Sequence, residues 1–266
     1  MSQVHVGDRI DGGEYVSVGG QVIWHFHDGD RHGAPTVLLH GAFAAASTWG
    51  AQIAGLLADG MQVYVPERSG HGHSPDTAGL YSFAALVDQT IEYLNGVVGA
   101  PAHLVGWADG AVVALLVARE RPDLVNRMVL FGNYVDGRGR DDDEFLERVR
   151  SRRPDIVEFL RTDYDTMSPD GPSHFPVVFD KLVQWLGDEP DFDVERFSEV
   201  TAPTLVIAAD RGVVSLEHSL KLARTLPNGR LAILPGTHIL PVEAPELFNP
   251  LVSSFLTADP PAVWRP

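Results

Sequence analysis

The chain contains no cysteine. Disulfides, a thiolate nucleophile and Cys-ligated zinc or iron–sulfur centres are therefore excluded. Basic residues are scarce: 20 Lys plus Arg stand against 36 Asp plus Glu, a formal net charge of −16 over 266 residues. Such a chain repels phosphate backbones and anionic membrane surfaces, so neither nucleic acid nor a membrane is an expected partner. Long hydrophobic runs are missing too. The richest, Ala111 to Ala118, ends at Arg119, well short of the roughly 18 residues of a membrane-spanning helix. The opening MSQVHVGDRIDGGEY has neither a basic start nor an apolar stretch, which argues against a signal peptide and for a cytoplasmic location. No internal repeat or low-complexity tract is visible.

What is present is an ordinary hydrophobic fraction of 44%, enough to bury a large core in one α/β unit of this length. Short apolar strands alternate with longer helical patterns, the mark of βαβ units and a mostly parallel sheet. Strands are expected at Val22 to His27, Thr36 to His40, Gln62 to Pro66, Ala102 to Gly106, Asn126 to Gly132, Thr204 to Ala209 and Leu231 to Leu234. Helices are expected at Ser47 to Leu57 behind a Ser or Thr cap, at Phe83 to Val97, Asp109 to Glu120, Leu216 to Leu226 and Pro245 to Phe255. Asp109 to Glu120 is apolar nearly all round and so belongs under the core. The tail ADPPAVWRP is too rich in proline for regular structure.

Between residues 133 and 199 the pattern changes to charge, turns and aromatics, with helical periodicity near Phe145, Ile156 and Phe179. This reads as a helical lid inserted into a core of residues 1–132 and 200–266. Phe145, Phe159, Tyr164, Phe175, Phe179, Trp185 and Phe192 require burial, with Phe175, Phe179 and Trp185 as candidate walls of an apolar pocket. The charged run Arg138 to Glu144 reads as solvated lid surface.

The strongest local signal is LVGWADGA, Leu104 to Ala111. A strand, then Gly106-x-x-x-Gly110, then a helix is the geometry of a nucleophile elbow. Its middle residue is forced to the mouth of the sheet, where N–H groups at a helix N-terminus can hold an oxyanion. No Gly-Lys-Ser/Thr follows, so it is not a phosphate loop.

Here the chain resembles the α/β-hydrolase superfamily, and the resemblance covers nearly its whole length. His40-Gly41-Ala42-Phe43 is similar to the family's oxyanion turn, Pro66 to Asp76 to the loop after the next strand, and Leu234 to His238 to the late loop that delivers the catalytic histidine. The resemblance implies an α/β-hydrolase fold, a mostly parallel sheet flanked by helices, and an enzyme of serine-hydrolase lineage without cofactor or metal. Its substrate would be a small apolar molecule bearing an ester, a lactone or a cleavable carbon–carbon bond. It also implies site roles: Ala108 at the nucleophile position, His238 as base, Ala42 and Asp109 as oxyanion N–H donors with Phe43 next, and Trp107 beside the pocket.

The departures carry as much information. Ala108 has no attacking atom. Asp109 is one residue late, which should aim its carboxylate away from the cleft. The acid position falls on Gly212 in Ala209-Asp210-Arg211-Gly212, leaving Asp210 as the candidate acid and Asp136 as the fallback. Three readings stay open. Ala108 is a Ser→Ala change that silences a serine hydrolase, which the surrounding GW-x-DGA favours. Alternatively, the chain is a lyase, isomerase or cyclase using His238 as general base. Or it is a binding protein that kept the pocket and lost the chemistry. Gly212 favours the last two.

The other histidines have plainer readings. His25 and His27 share a strand face, as metal ligands or, more simply, as a solvated edge. His71 and His73 read as loop contacts, His40 as part of its turn and His218 as solvated.

Overall fold

The computed structural model describes residues 10–141, 144–187 and 191–259. Most of the tail ADPPAVWRP and part of the charged run at 138–144 lie outside them. Among the described residues eight strands form one sheet: β1 (Glu14–Val18), β2 (Gln21–Asp28), β3 (Ala34–Leu39), β4 (Met61–Pro66), β5 (Ala102–Trp107), β6 (Val125–Phe131), β7 (Thr204–Ala209) and β8 (Gly229–Leu234). Their order is β1-β2-β4-β3-β5-β6-β7-β8. β1–β2 and β2–β4 run antiparallel and every later pair parallel. The fold class expected from the sequence is the one observed, an α/β-hydrolase fold.

Helices α1 (Gly50–Ala58), α2 (Phe83–Tyr93) and α3 (Asp109–Glu120) link the first parallel strands. Helices α4 (Glu144–Arg150), α5 (Pro154–Met167) and α6 (Phe175–Gly187) lie between β6 and β7, and α7 (Leu216–Thr225), α8 (Leu240–Glu243) and α9 (Pro245–Thr257) follow in the last third of the chain. β5 and β7 are buried at every residue, as strands covered on both faces must be. α3 has eight buried residues, which explains its nearly continuous apolar sequence. No helix among the described residues is long and apolar enough to cross a membrane.

Some local expectations change. The segment from Ser47 does not open on a hydroxyl cap. Ala46–Trp49 is a 3-10 turn in which Thr48 Oγ1 donates to the Ala45 carbonyl at 2.7 Å, and α1 starts only at Gly50. β1 has no counterpart among the expected strands, and it removes the edge proposed for β2. His25 is accordingly 3% exposed, with Nδ1 2.7 Å from the Tyr93 hydroxyl, while His27 stacks on Tyr64. His218 is also buried, its Nε2 accepting the Val135 N–H at 3.2 Å.

The helices between β6 and β7 are fastened to the loop after β4 around Asp76, whose N–H also donates to Asp170 Oδ2 at 2.7 Å. Asp76 Oδ2 accepts from Lys181 Nζ at 2.7 Å and lies 2.9 Å from His174 Nε2, and Oδ1 accepts the Tyr81 hydroxyl at 2.7 Å. Burial alone would raise the Asp76 carboxyl, but the hydrogen bonds from Lys181, Tyr81 and His174 hold it below its ordinary value. Removing one partner of such a buried pair strands the other charge, so Asp76→Ala is expected to lose about 3–5 kcal/mol at neutral pH. Urea denaturation measures this; a loss under about 1 kcal/mol would mean that the pair is solvated like a surface one.

Candidate functional site

The site sits where the chain order of the sheet reverses, between β3 and β5, outside the carboxyl ends of the strands. Gly41 and Ala42 follow β3, Ala108 follows β5, Gly132 follows β6 and His238 lies four residues past β8. Ala108 takes φ +50°, ψ −119°, a conformation that a residue with a side chain rarely adopts. The strand-to-helix turn demands it. Ala108 N–H donates to the Phe131 carbonyl at 2.9 Å, while the Ala108 carbonyl accepts the Ala111 N–H at 3.0 Å. Gly110 makes the turn possible, because a Cβ there would fall onto the Leu39 and His40 carbonyl oxygens.

A cavity of about 370 Å³ opens over this elbow. Ala42, Phe43, Trp107, Ala108, Asp109 and His238 all line it. The structure thus brings together six of the eight residues singled out in the sequence. Trp107 both walls the cavity and packs, with its ring 5.9 Å from Trp49 and 6.1 Å from Phe131. The remaining two, Asp210 and Asp136, are elsewhere.

Asp210 is exposed, and its Oδ1 accepts the Gly236 N–H at 2.8 Å. It steadies the loop ahead of His238 and has no bond to the imidazole. Asp136 is buried but engaged by Arg138, whose N–H reaches Oδ1 at 2.8 Å and whose Nε reaches it at 3.2 Å. Both candidate acids are corrected on this ground. His238 Nδ1 has no hydrogen-bond partner among the described residues. Its ring lies between Trp107 and Phe131, with centroids 6.1 and 6.2 Å away, and against the backbone of Gly132 (φ +60°), where a Cβ would be 2.9 Å from Nδ1. Burial pushes the imidazole down to about 4. It is neutral at pH 7.

Asp109 also departs from its expected orientation. Its carboxylate is not turned away from the cleft: Oδ2 accepts the Ala42 N–H at 3.1 Å, at the edge of the cavity. The first residue of α3 has enough side-chain freedom to fold back across the gap to the oxyanion turn. Burial raises the Asp109 carboxyl, opposed by the Arg68 charge and by the N–H groups of Ala42 and of Asp109 itself. Both N–H groups expected to hold an oxyanion are therefore directed at a resident carboxylate.

Arg68 supports this corner. It is 4% exposed and donates through Nη2 to the His40 carbonyl at 2.7 Å. His40 is buried, its Nδ1–H donating to the Gly41 carbonyl at 2.8 Å and its Nε2 accepting the Arg68 N–H at 3.2 Å. Its assignment to the turn holds in the structure.

The wall aromatics are only in part those expected. Phe175, Phe179 and Trp185 are buried in the core at 4%, 2% and 4% exposure and do not line the cavity over the elbow, but Phe175 lines a smaller cavity beside Phe43. Phe145 and Phe159 line the cavity over the elbow instead, and remain 40% and 39% exposed at its mouth. Thr48, Tyr134, Arg140 and Asp163 are polar lining residues that no sequence motif marks. Tyr134 had a findable signal, three residues past the end of β6 at the reactive end of the sheet. Asp163 lies within α5, where nothing in the helical pattern distinguishes it.

Comparison with known proteins agrees with this fold. Residues 36–251 match the family model for the alpha/beta hydrolase family. A Rhizobium rhizogenes protein that carries the name carbamate hydrolase RutD is 29% identical over 88% of this chain and 98% of its own length. Pyrrolizixenacetamide deacetylase of Xenorhabdus hominickii is 27% identical over 86% of this chain and 93% of its own. Among solved structures, the enol-lactonase of Burkholderia xenovorans superposes with a TM-score of 0.73 at 22% identity, covering 92% of this chain and all of that one.

Proposed function

The chain belongs to the alpha/beta hydrolase family, an enzyme of hydrolase type, and within that lineage we propose that it acts on a small apolar molecule by proton transfer at His238, without an acyl-enzyme. The observation that carries this reading is the imidazole itself. His238 faces the cavity, neutral at physiological pH, with no partner on Nδ1 among the described residues and no hydroxyl at Ala108 to activate. A serine hydrolase needs the nucleophile and, for full rate, the acid that fixes the tautomer. A general base needs reach and an open lone pair, and burial that holds this imidazole down to about 4 makes it a weak one. The segment 133–199 acts as a lid on the core of 1–132 and 200–266, with Phe145 and Phe159 as its apolar lip.

The test uses 2-tetralone, a bicyclic ketone that exchanges its acidic C–H through a hydroxyl-bearing enol, in deuterium oxide. Protein-dependent exchange followed by proton NMR should fall about tenfold in His238→Ala, below the roughly 10²–10⁴ contributed by general bases poised near the working pH. Exchange indifferent to His238→Ala would sink the proposal, as would covalent labelling of the unaltered chain by a serine-directed phosphonate.

One observation favours a second reading, a silenced hydrolase of the ester, lactone or C–C bond type. The elbow keeps its strained φ at a residue that has no attacking atom. In that case the cavity binds a hydrolysable substrate and holds it.

A further inference from the structure

In a serine hydrolase the floor of the pocket offers hydrogen-bond donors to a developing oxyanion. Here that polarity is reversed. The Ala42 N–H is taken by Asp109 Oδ2 at 3.1 Å, and Asp109 lines the cavity beside Ala108. A ligand carbonyl placed at this floor would meet a carboxylate and lose its donors to an internal competitor. A ligand O–H placed there would find an acceptor.

Charge selects further among donors. Asp109 and Asp163 line the cavity, and so does Arg140; Arg68 lies close enough behind Asp109 for each to shift the other's ionisation. Two carboxylates against two guanidiniums leave the site near neutrality, which suits a hydroxyl better than an ammonium group. The walls, with Phe43, Trp107, Phe145 and Leu160 among them, are apolar. We propose that the cavity recognises a neutral ring-bearing alcohol, phenol or enol, whose hydroxyl donates to the Asp109 carboxylate. Asp109 thereby acts as the specificity-determining residue. This rests on the reading of the cavity as the substrate site, and it extends that reading from an apolar molecule to a hydroxyl-bearing one.

Three naphthalenes of similar size test it by titration calorimetry at neutral pH: 2-naphthol, 2-methoxynaphthalene and 2-acetylnaphthalene. The unaltered protein should bind 2-naphthol at least tenfold more tightly than its methyl ether, the effect of one hydrogen bond to a charged acceptor. Asp109→Asn replaces one acceptor oxygen with a donor, and should bring the naphthol-to-ether ratio below threefold while tightening the acetyl compound. Equal affinity of naphthol and ether for the unaltered chain overturns the proposal without any variant, so a failure of Asp109→Asn to fold does not shelter it. If none of the three binds, the cavity reading falls with it. If all bind alike, only the hydroxyl preference falls, and the His238 proposal stands on its own exchange assay.

Discussion

Ala108→Ser alone is expected to stay nearly unlabelled by a fluorophosphonate, whereas Ala108→Ser combined with Gly212→Asp should label on the order of 10³–10⁴ times faster. The difference arises at His238. A new serine hydroxyl would stand beside an imidazole whose Nδ1 is unbonded and whose ionisation burial pushes down to about 4. Such an imidazole is free to adopt either tautomer, and it holds the serine proton poorly. An aspartate on Nδ1 fixes the tautomer and stabilises the imidazolium, and losing it costs serine enzymes about 10⁴ in turnover. Gly212 can accept a side chain. A Cβ there would stand 3.3 Å from the Ala209 carbonyl oxygen and 3.5 Å from its Cβ, a tight fit that a shift of a few tenths of an ångström relieves. Gly212 also precedes Val213, which lines the cavity. Labelling kinetics followed by intact-protein mass spectrometry decide the matter. Rapid labelling of Ala108→Ser alone would favour the silenced hydrolase with its acid supplied from elsewhere. A double variant no faster than the single one would rule out position 212 as the seat of the acid.

Acid should unfold this protein early. Burial lowers five buried histidines among the described residues, His25 and His218 included, and three of them carry the large shifts: His40 well below its ordinary value by burial and the neighbouring Arg68 charge, His71 down to about 3 for the same two reasons, and His103 down to about 4 by burial with Arg127 nearby. The unfolded chain protonates all three near the ordinary value of 6.5. Above that pH both states are neutral and the three groups contribute no pH dependence. Below it, the unfolded state binds protons that the folded state refuses, so stability falls as pH drops from 6.5 toward 4 and 3. Each histidine contributes a slope of about 1.4 kcal/mol per pH unit. Three together approach about 4 kcal/mol per unit, and by about pH 5 the loss is on the order of 6 kcal/mol, comparable with the whole stability of a typical domain. Urea midpoints measured between about pH 7.5 and about pH 5 should therefore collapse, with unfolding in buffer alone by about pH 4.5. A midpoint that stays level down to about pH 5 would show that these rings are hydrated. His40 and His71, whose rings are 5.1 Å apart beside Arg68, carry the effect to the lowest pH.

The framework of the site is legible because backbone demands write themselves into sequence. Strand β5, Gly110 and α3 can be read because only one turn connects such a strand to such a helix, and Ala108 falls at its apex. The partners of that apex are harder. Counting residues along a regular helix places Asp109 away from the cleft. A carboxylate on the first helical residue is nevertheless free to bend toward an unsatisfied N–H, and Ala42 supplies one. Asp210 and Asp136 carry the right chemistry at plausible positions, but local hydrogen bonds to Gly236 and Arg138 claim them. β1 escapes notice because it is exposed at all but two of its five residues, which leaves little apolar signal. Once β1 is present, His25 becomes an interior residue, a change that β2 alone cannot reveal.

The torsion at Ala108 bears on how far this molecule stands from its hydrolytic relatives. A φ of +50° is ordinarily the hardest part of an elbow to build, since it must be enforced by the strand, the helix and the neighbouring carbonyls together. Here all of that scaffolding persists beneath a methyl group. The mutational path to a serine at the elbow is therefore one side chain long, with no loop to rebuild, and the path to a reactive one is longer by the acid that His238 lacks, while Asp109 already sets an acceptor beside the same turn. The protein occupies a crossing point between two chemistries, and the same strained residue keeps both within reach.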